Sequence, residues 1–419
     1  MKATILKKDK RFEVRNDTSL GIQQYGEGND YPQQVLELVG ASGTGGACVD
    51  IYAKFISGQG FADQSLYDIV INRFGQTSDY LLDQIAKDYA QLGGLAIHVN
   101  YNANYQIVEQ QHVPVETVRF EKLDESGRFS KYCTHPDWGR RFTRLRKWKK
   151  EDIKVFDKFN PDPVEIQRQV EEAGGWENYK GQIYYFSNQG TDQYPTPIFD
   201  SVLTDMSTEE GISNVNYRNV RSNFLAAGML IDIVGVDDTE DQENETEKAL
   251  MEFQGDEAVG KIMHIQVANK EESPEFKPFK GENYDKEFTV TRETVQNNIG
   301  KRFNQPPILR CEDVGNNFGA EAINNAYDYY NSITANERLA LERVFSELFA
   351  LSIIPTSGDY SIIPLAYTSE NLAEKLGPES VATILTIMAD PAMSTEQKKS
   401  MLRLLYNLSD EEINSIIPQ

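Results

Sequence analysis

The feature that most constrains the fold is a helix, a break and a second helix in the last third of the chain. Residues 285–303 follow a helical pattern, and residues 304–319 then read NQPPILRCEDVGNNFG. Pro306 and Pro307 cannot continue a regular helix, because proline lacks the backbone donor and clashes with the preceding turn. A long helix follows over residues 320–351, with apolar side chains at helical spacing. The segment therefore predicts two helices joined by an irregular loop.

A helix also precedes a small β-insertion upstream of this segment. YPTP at 194–197 is a turn signal, and residues 198–226 have a helical pattern. The runs AAGMLIDIVG and KIMHIQVAN are typical of strands, and ESPEFKPFKGENYD is expected to be a loop. VDDTEDQENETEK lies between the two strands and is too acidic to pack in a core. We therefore expect an outgoing helix, a β-insertion with an exposed acidic segment, and a returning helix.

The N-terminal part is predicted to mix helices and strands. Residues 29–60 indicate two helices, since Pro32 suits the first turn of one and Gly58 can end the other. GASGTGG at 40–46 is interpreted as the turn between them. Residues 79–92 predict an amphipathic helix that glycines terminate, and the LAIHVNY run after it alternates as a strand does.

Residues 112–186 have a β-rich pattern, with short alternating runs such as VPVETVRF, RFSKYCTH and QIYYF, and with NPDP interpreted as a loop. The same region holds the strongly basic stretch GRRFTRLRKWKKEDIKVF, centred on residues 140–150. Interleaved basic and aromatic side chains can contact nucleic acid. A β-hairpin with one charged face gives the same pattern, so both interpretations stay open.

The tail, residues 370–419, is predicted to be helical with short loops. Ser394 with Gln397, and Ser409 with Glu412, have the spacing of capping boxes, in which each side chain bonds the other residue's backbone. Two helix starts are therefore expected in the tail.

The overall charge argues against a free nucleic-acid binder. The 419 residues carry a formal net charge of −23, whereas neutralising phosphates needs a basic surface. The length allows two or three domains. We expect no membrane span, since no apolar stretch reaches roughly 18 residues. The N-terminus MKATILKKDKRFEV has no apolar core of a secretory signal, so the chain is expected to stay in the compartment where it is made.

The sequence offers no positive sign of metal, cofactor or catalytic chemistry. Its cysteines and histidines are scattered, without the spacing of metal ligands: Cys48, Cys133, Cys311, His98, His112, His135 and His264. GxxxxGK[ST], GxSxG and HExxH are all missing from the sequence. Paired acids such as Glu312 and Asp313 arise by chance among 65 acidic residues. We therefore expect no enzyme, no cofactor and no metal site.

Three blocks carry a family resemblance. The first is NDYPQQVLELVGASGTGGACVDIYAKFISGQGF, and the second runs from QIYYFSNQG through the Pro-x-Pro turn and NFLAAG to a strand. The third joins a helix, the Phe-x-x-Pro-Pro-x-Leu break, a glycine and asparagine loop and the long helix. In this order, over residues 29–350, the blocks resemble the portal proteins of tailed bacteriophages. The family's proline in the long helix is replaced here by TANE at 334–337.

The resemblance implies an α+β portal fold with a mixed α/β wing, a helical stem, a small β-containing clip, a long α-helix and a helical C-terminal crown. Carried onto this sequence, it divides the chain as follows: wing 1–200, stem helix 201–228, clip 229–284, stem helix 285–303, tunnel loop 304–318, long wing helix 319–365 and crown 366–419.

The resemblance also implies a function without catalysis. The chain would be one subunit of a ring, usually of twelve, that forms the DNA channel at a capsid vertex of the virion and is assembled in the cytoplasm of a bacterial host. Its partners would be other copies of itself, the terminase large subunit, the major capsid or scaffold protein, a head–tail adaptor and duplex DNA passing without sequence specificity. An acidic wall suits this task, because few phosphate contacts mean little friction.

Two sets of site residues follow from the implied regions. Those expected near the DNA in the tunnel loop are Arg310, Glu312, Asp313, Asn316 and Asn317. Those expected on the partner-facing clip are Asp237, Asp238, Glu240 and Asp241.

Two other functions remain open at this point. One is a different virion structural protein, such as an adaptor or a minor capsid protein, which would lack the helix–Pro-Pro–helix segment. The other is a nucleic-acid enzyme that uses the basic stretch at 140–150, and it would need a clustered carboxylate or histidine site.

Overall fold

A computed structural model of the chain divides into two compact units. The first consists of Met1–Asp30, Asp50–Pro197 and Asn304–Gln419, and the second of Tyr31–Val49 and Ile198–Phe303. Each unit contains helices and strands, so the predicted α+β class is confirmed. The residues that the structure describes are 14–138, 150–221, 228–233, 262–267, 275–278, 284–311, 320–367, 383–388, 393–406 and 413.

The elements follow one another with these bounds. The strands are β1 (Val14–Asp17), β2 (Ile22–Tyr25), β3 (Gly94–Tyr101), β4 (Ile107–His112), β5 (Val118–Phe120), β6 (Lys131–Thr134), β7 (Lys154–Lys158), β8 (Gln182–Ser187), β9 (Gly228–Ile233), β10 (Ile262–Val267) and β11 (Glu275–Pro278). The helices are α1 (Tyr31–Ala41), α2 (Gly43–Ser57), α3 (Ser78–Leu92), α4 (Pro163–Ala173), α5 (Leu203–Arg221), α6 (Tyr284–Arg302), α7 (Ala320–Ile333), α8 (Ala335–Phe349) and α9 (Thr395–Tyr406).

A six-stranded sheet forms the centre of the first unit, in the spatial order β4-β3-β8-β7-β6-β5. Its neighbouring strands are antiparallel except β7 and β8, which run parallel. Strand β3 is buried along most of its length, as a central strand should be. The predicted helix before it is confirmed as α3, whose end is set by Gly93 at a φ of 80°, where a side chain would be strained. The LAIHVNY strand is confirmed as β3.

Helix α4 corrects the prediction that residues 112–186 are β-rich throughout. Parallel neighbours such as β7 and β8 need a crossover connection, and α4 supplies it. NPDP is therefore a helix start, not a plain loop: Asp162 accepts a hydrogen bond from the Val164 amide, and Pro163 occupies the first helical position. Gly174 ends the helix in the left-handed region, with a φ of 84°.

Arg119 on β5 is a fully buried cation in the first unit. Its guanidinium donates to the Asn29 side-chain oxygen at 2.6 Å and to the Asn29 carbonyl oxygen at 2.8 Å. The guanidinium carbon lies 5.3 Å from the ring centre of Tyr25 and 5.4 Å from that of Trp138. Hydrogen bonds and cation–π contacts therefore compensate part of the cost of burying this charge.

The glycine-rich cluster at 40–46 contains the predicted turn between two helices, and the turn is a single residue long. Helix α1 continues to Ala41 and α2 begins at Gly43, so Ser42 alone separates them. The Ser42 hydroxyl oxygen accepts a hydrogen bond from the Gly45 amide at 2.9 Å, as an N-cap does. The cap at Ser42 contributes about 1 kcal/mol and so offsets part of the cost of the three glycines in the first turn of α2, about 1 kcal/mol each.

The predicted long helix over 320–351 is divided into α7 and α8 at Thr334. The Thr334 hydroxyl bonds back to the carbonyl oxygen of Tyr330 at 3.0 Å, and its backbone has a ψ of 6°. A threonine that bonds the backbone four residues earlier disturbs the regular ladder, so a proline is not needed for the interruption. Arg338, on the first turn of α8, donates to the Thr334 hydroxyl at 2.7 Å and to the Phe55 carbonyl oxygen at 2.8 Å.

The second unit contains α1, α5, α6 and a three-stranded sheet in the order β10-β9-β11. Strands β9 and β10 were predicted and are confirmed, and they pair in parallel. ESPEFKPFKGENYD is not wholly a loop, because it contains β11, which pairs antiparallel with β9. The returning helix is confirmed as α6.

The break around Pro306 and Pro307 and one tail helix agree with the sequence. Residues Pro307–Arg310 form a short 3-10 turn, not an α-helix. In the tail, the Ser394 hydroxyl accepts from the Gln397 amide at 3.3 Å, and the Ser394 amide donates to the Gln397 side chain at 3.0 Å. This confirms the first capping box, while the second lies outside the described residues.

Candidate functional site

Helices α5 and α6 form an antiparallel pair within the second unit. The Asn298 side chain donates to Asp205 at 3.5 Å, and the Gln296 side chain donates to Glu209 at 3.3 Å. The start of α5 therefore lies beside the end of α6. In sequence, the three strands of the small sheet come after the end of α5 and before the start of α6.

Glu209 is a hydrogen-bonding centre at the base of this pair. Its carboxylate accepts from the Ser42 hydroxyl at 2.5 Å, from the Thr44 hydroxyl at 2.6 Å and from the Thr44 amide at 3.2 Å. The side chain therefore joins α5 to the N-terminus of α2 and, through Gln296, to α6. A carboxylate is favourable there, because the N-terminal end of a helix carries partial positive charge.

Opposing effects set the ionisation of Glu209. Burial by itself raises the pKa of this carboxyl, but the hydrogen bonds from Ser42, Thr44 and Gln296 favour the charged form and leave the pKa below its ordinary value of 4.5. Glu209 is thus a structural anion. Its bonds hold the base of the helix pair together instead of preparing it for proton transfer.

Close packing adds to these bonds at the same place. A side chain at Gly45 would come within 2.8 Å of the Ser42 hydroxyl oxygen and 2.9 Å of the Met206 methyl group. Phe199 and Phe303 stack with ring centres 5.2 Å apart where the helix pair begins and ends. Sequence reasoning missed this site, since its members are up to 254 positions apart and no local pattern joins Ser42 to Gln296.

The described surface of α5 and α6 mixes both charges. Asp205, Glu210 and Arg218 are half-buried on α5, while Arg292 and Glu293 are exposed on α6. The last turn of α6 adds two exposed bases, Lys301 and Arg302. The surface thus carries acids as well as bases, and the acids weaken its attraction for phosphates.

Of the tunnel-loop residues expected near DNA, Arg310 is the one that the structure describes. It ends the 3-10 turn that begins at Pro307, and its side chain is half-buried. The expected residues Glu312, Asp313, Asn316 and Asn317 lie outside the described residues, as do the expected clip residues Asp237, Asp238, Glu240 and Asp241. Residues 139–149 of the basic stretch lie outside them too.

Three of the histidines that look scattered in sequence line one cavity of about 350 Å³ in the first unit: His98, His112 and His135. The His98 ring bonds the Lys180 carbonyl oxygen at 2.5 Å, and the His112 ring bonds the Asp88 carboxylate at 2.8 Å. Burial lowers the pKa of His98. Among the residues that the structure describes, no three histidine, cysteine or acidic side chains are arranged to hold a metal ion.

The comparisons with known proteins give structural likenesses alone. No protein-family model matches the chain, and no curated protein matches significantly. In the ranges described here, no helix is long and apolar enough to cross a membrane.

Solved structures similar to this chain include chains of gene transfer agent particles and a phage portal protein. A chain of the virion of the native gene transfer agent particle is 16% identical, with a TM-score of 0.46, over 90% of this chain and 93% of that one. The neck of the native gene transfer agent particle, computed with C12 symmetry, gives 18% identity and a TM-score of 0.44 over 88% and 93%. An HK97 family phage portal protein from Corynebacterium diphtheriae gives 12% and 0.33 over 70% and 82%. At this distance, function has to be argued from the chain's own residues.

Proposed function

We propose that this chain is a phage portal protein, a non-enzymatic subunit of a ring that forms the DNA channel at one vertex of a capsid. The ring would serve genome packaging, genome ejection and the joining of head to tail. Its subunit number is proposed to be twelve, the symmetry given for the neck of the gene transfer agent particle.

The observation that carries the proposal is the helix–sheet–helix excursion of the second unit. Helices α5 and α6 run antiparallel, and Phe199 before α5 stacks on Phe303 after α6. A small sheet lies between the two helices in sequence. The Pro306–Pro307 break follows at once. In the proposed assignment, the helix pair is the stem, the sheet belongs to the clip, and the segment after Phe303 begins the tunnel loop.

The charge of the helix pair supports the same function. A channel wall must let duplex DNA slide, and each additional phosphate contact adds affinity that opposes movement. The mixed charges of α5 and α6 limit such contacts. Arg310 and the neighbouring loop residues are proposed to approach the DNA, and the acidic segment 237–241 to face a partner.

The proposed partners follow from the position of a portal ring. Other copies of the chain close the ring, the terminase large subunit and later a head–tail adaptor dock on the clip, and the major capsid or scaffold protein surrounds the wing. In this proposal the terminase hydrolyses ATP and supplies the energy for DNA movement. The chain itself therefore needs no nucleotide site.

Native mass spectrometry of the purified protein at high concentration, with negative-stain images, tests the proposal. We expect closed rings of about twelve subunits with a central hole, because head-to-tail contacts that close by rotation give rings. A compact dimer with a large buried interface, and no rings, would contradict the proposal.

A further inference from the structure

The part of the α5–α6 pair that lies away from its base has no core of its own. Counted from the base, Ile212 is the last described residue of α5 that is buried, and Val295 is the corresponding residue of α6. Beyond them lie residues 213–218 of α5 and 289–294 of α6, which we call the distal half of the pair. All of these residues are helical, and none of them is buried.

The amino acids of the distal half are also poor helix formers. The two segments read SNVNYR at 213–218 and TVTRET at 289–294. Threonine and valine lose side-chain freedom in a helix, and serine and asparagine compete for its backbone groups. Most helices in proteins are stabilised by packing of an apolar face. A helical segment that has neither high propensity nor a buried face therefore needs another surface to pack against.

Tyr217 is exposed on the outer side of α5, with 62% of its surface accessible. Ile212 lies about one turn from Glu209, on the side of α5 that bonds to Gln296 of α6. Tyr217 follows Ile212 by five positions. Because a helix turns by about 100° per residue, its side chain points about 140° away from that side. Tyr217 is therefore turned away from α6.

Val290 has the same relation to the other helix and is 63% exposed. Val295 lies about one turn from Asn298, on the side of α6 that bonds to Asp205 of α5. Val290 precedes Val295 by five positions, so its side chain points about 140° away from that side. The pair thus presents an exposed apolar side chain on each flank, Tyr217 on the α5 flank and Val290 on the α6 flank.

The same two flanks carry opposite charges. Glu210 is half-buried about two turns nearer the base than Tyr217, on the same side of α5. Lys301 is exposed about three turns nearer the base than Val290, on the same side of α6. Neither Glu210 nor Lys301 has an ion-pair partner in the part of the chain that the structure describes. The α5 flank is therefore acidic and the α6 flank basic.

The heights of these residues along the pair allow one flank to match the other. Counted from the bond between Glu209 and Gln296, Tyr217 lies about 3 Å farther from the base than Val290. By the same count, Glu210 lies about 9 Å farther from the base than Lys301. If one pair is shifted against the next by about one helical turn, both couples come within about 4 Å of equal height.

We propose that neighbouring copies pack flank to flank, with Tyr217 of one copy on Val290 of the next and Glu210 facing Lys301. The distal half forms stable helices only through this contact. The occupant is a second copy, because the two flanks of one chain complement each other in apolar surface and in charge. Different surfaces of one chain that meet in this way give a head-to-tail contact that repeats around a ring. The inference rests on the proposed function, to which it adds the residues that join the subunits.

Disulfide trapping between mixed variants tests the contact. Tyr217→Cys and Val290→Cys are made in separate chains, each carrying Cys311→Ser, because Cys311 is exposed whereas Cys48 and Cys133 are buried. The two proteins are mixed and mildly oxidised. We expect a disulfide-linked dimer in the mixture and none with either variant alone, because a disulfide requires α-carbons about 4.4–6.8 Å apart.

The matched control replaces Tyr217→Cys with Ser207→Cys. Ser207 is also exposed on α5, but it lies about 15 Å along the helix from Tyr217. The 217–290 dimer should exceed the 207–290 dimer about tenfold or more, because the disulfide forms only at short range. Equal yields of the two dimers would overturn the proposal.

A charge exchange tests the same contact without cysteines. Glu210→Lys and Lys301→Glu should each raise the concentration needed for self-assembly by about tenfold or more, because each places like charges opposite one another. A chain with both substitutions restores opposite charges at every contact, so it should assemble as the unaltered protein does. A doubly substituted chain that assembles no better than the single variants would contradict the contact.

Hydrogen exchange of the unaltered protein tests whether assembly completes the distal half. Backbone amides of 213–218 and 289–294 should exchange about tenfold or more slowly in the assembled protein than in the protein dissociated by dilution. Amides of the base, around Met206 and Ile299, should be protected in both states. Equal exchange of the distal half in the two states would overturn this part of the proposal.

Negative-stain images of the oxidised mixture separate this inference from the proposed function. Rings without the 217–290 disulfide overturn the contact and leave the portal function standing. The disulfide without rings supports the contact and counts against the portal function. If a different protein covers the distal half, neither the disulfide nor the recovery by charge exchange is observed, and the proposal fails.

Discussion

Some buried polar side chains in this protein have hydrogen-bond partners, and others do not. Glu209 and Arg119 are buried ions whose charged groups each have several hydrogen-bond partners. Gln110 on β4 is 1% exposed, yet neither atom of its side-chain amide has a hydrogen-bond partner among the described residues. The partners of the first two offset the cost of their burial, whereas the unpaired Gln110 amide lowers the stability of the folded state.

Replacing Gln110 with methionine should therefore stabilise the protein. Gln110→Met keeps the side-chain length, removes an unpaired buried amide, and should raise the unfolding free energy by about 1–2 kcal/mol. Gln169→Met is the matched control, because the Gln169 side-chain oxygen accepts from the Gln182 side-chain nitrogen and the Tyr179 hydroxyl, each at 2.8 Å. It should destabilise the protein by about 1–3 kcal/mol. Chemical denaturation measures both, and a destabilised Gln110→Met would contradict the account.

Glu209 gives a pH-dependent prediction. Its folded-state pKa lies below the ordinary 4.5, so the unfolded state binds the proton more tightly. Its contribution to stability is present above pH 4.5 and is lost as pH falls through the folded-state pKa. Glu209→Gln should cost about 1–3 kcal/mol at pH 7. The difference between the two proteins should shrink in acid, as thermal unfolding at pH 7 and below pH 4 can measure; a difference that does not change with pH would contradict this.

Among the helices and strands, the sequence predicts those boundaries that depend on residues close together in the chain. Gly93 ends α3 because a left-handed residue is needed there, and Pro306 with Pro307 ends the helical pattern of α6. The Asp162–Pro163 signal of α4 was also present, but the alternating runs around it obscured it. The parallel pairing of β7 with β8 joins residues that are distant in sequence, so no local sequence pattern predicts it.

The interruption at Thr334 was hidden for a different reason. Every side chain from residue 320 to 349 is compatible with one helix, and the break depends on where the Thr334 hydroxyl and Arg338 find partners. The Glu209 site and the three-histidine cavity were likewise hidden, because distant segments bring their members together.

Arg338 tests how the junction of α7 and α8 is held. Its guanidinium donates to the Phe55 carbonyl, the Thr334 hydroxyl and the Asn331 carbonyl, and a lysine has no planar fork that could bond all three. Arg338→Lys should therefore lower the unfolding free energy by about 1–3 kcal/mol. Arg343→Lys, at an exposed position on the same helix, should change it little. Equal effects of the two substitutions in thermal unfolding would contradict the role given to Arg338.

For the whole molecule, a strongly acidic chain is proposed to act on DNA. A net charge of −23 is unsuited to holding a duplex and is compatible with letting one slide past a wall of mixed charge. The antiparallel pair α5–α6, with its base held by Glu209, is the element proposed to form that wall.

A cryo-EM reconstruction of the assembled protein tests this central claim most directly. The account predicts a closed ring around a hole wide enough for duplex DNA, with α5 and α6 of every subunit beside the channel. A ring with this helix pair on its outer surface, or an assembly without a central channel, would contradict it.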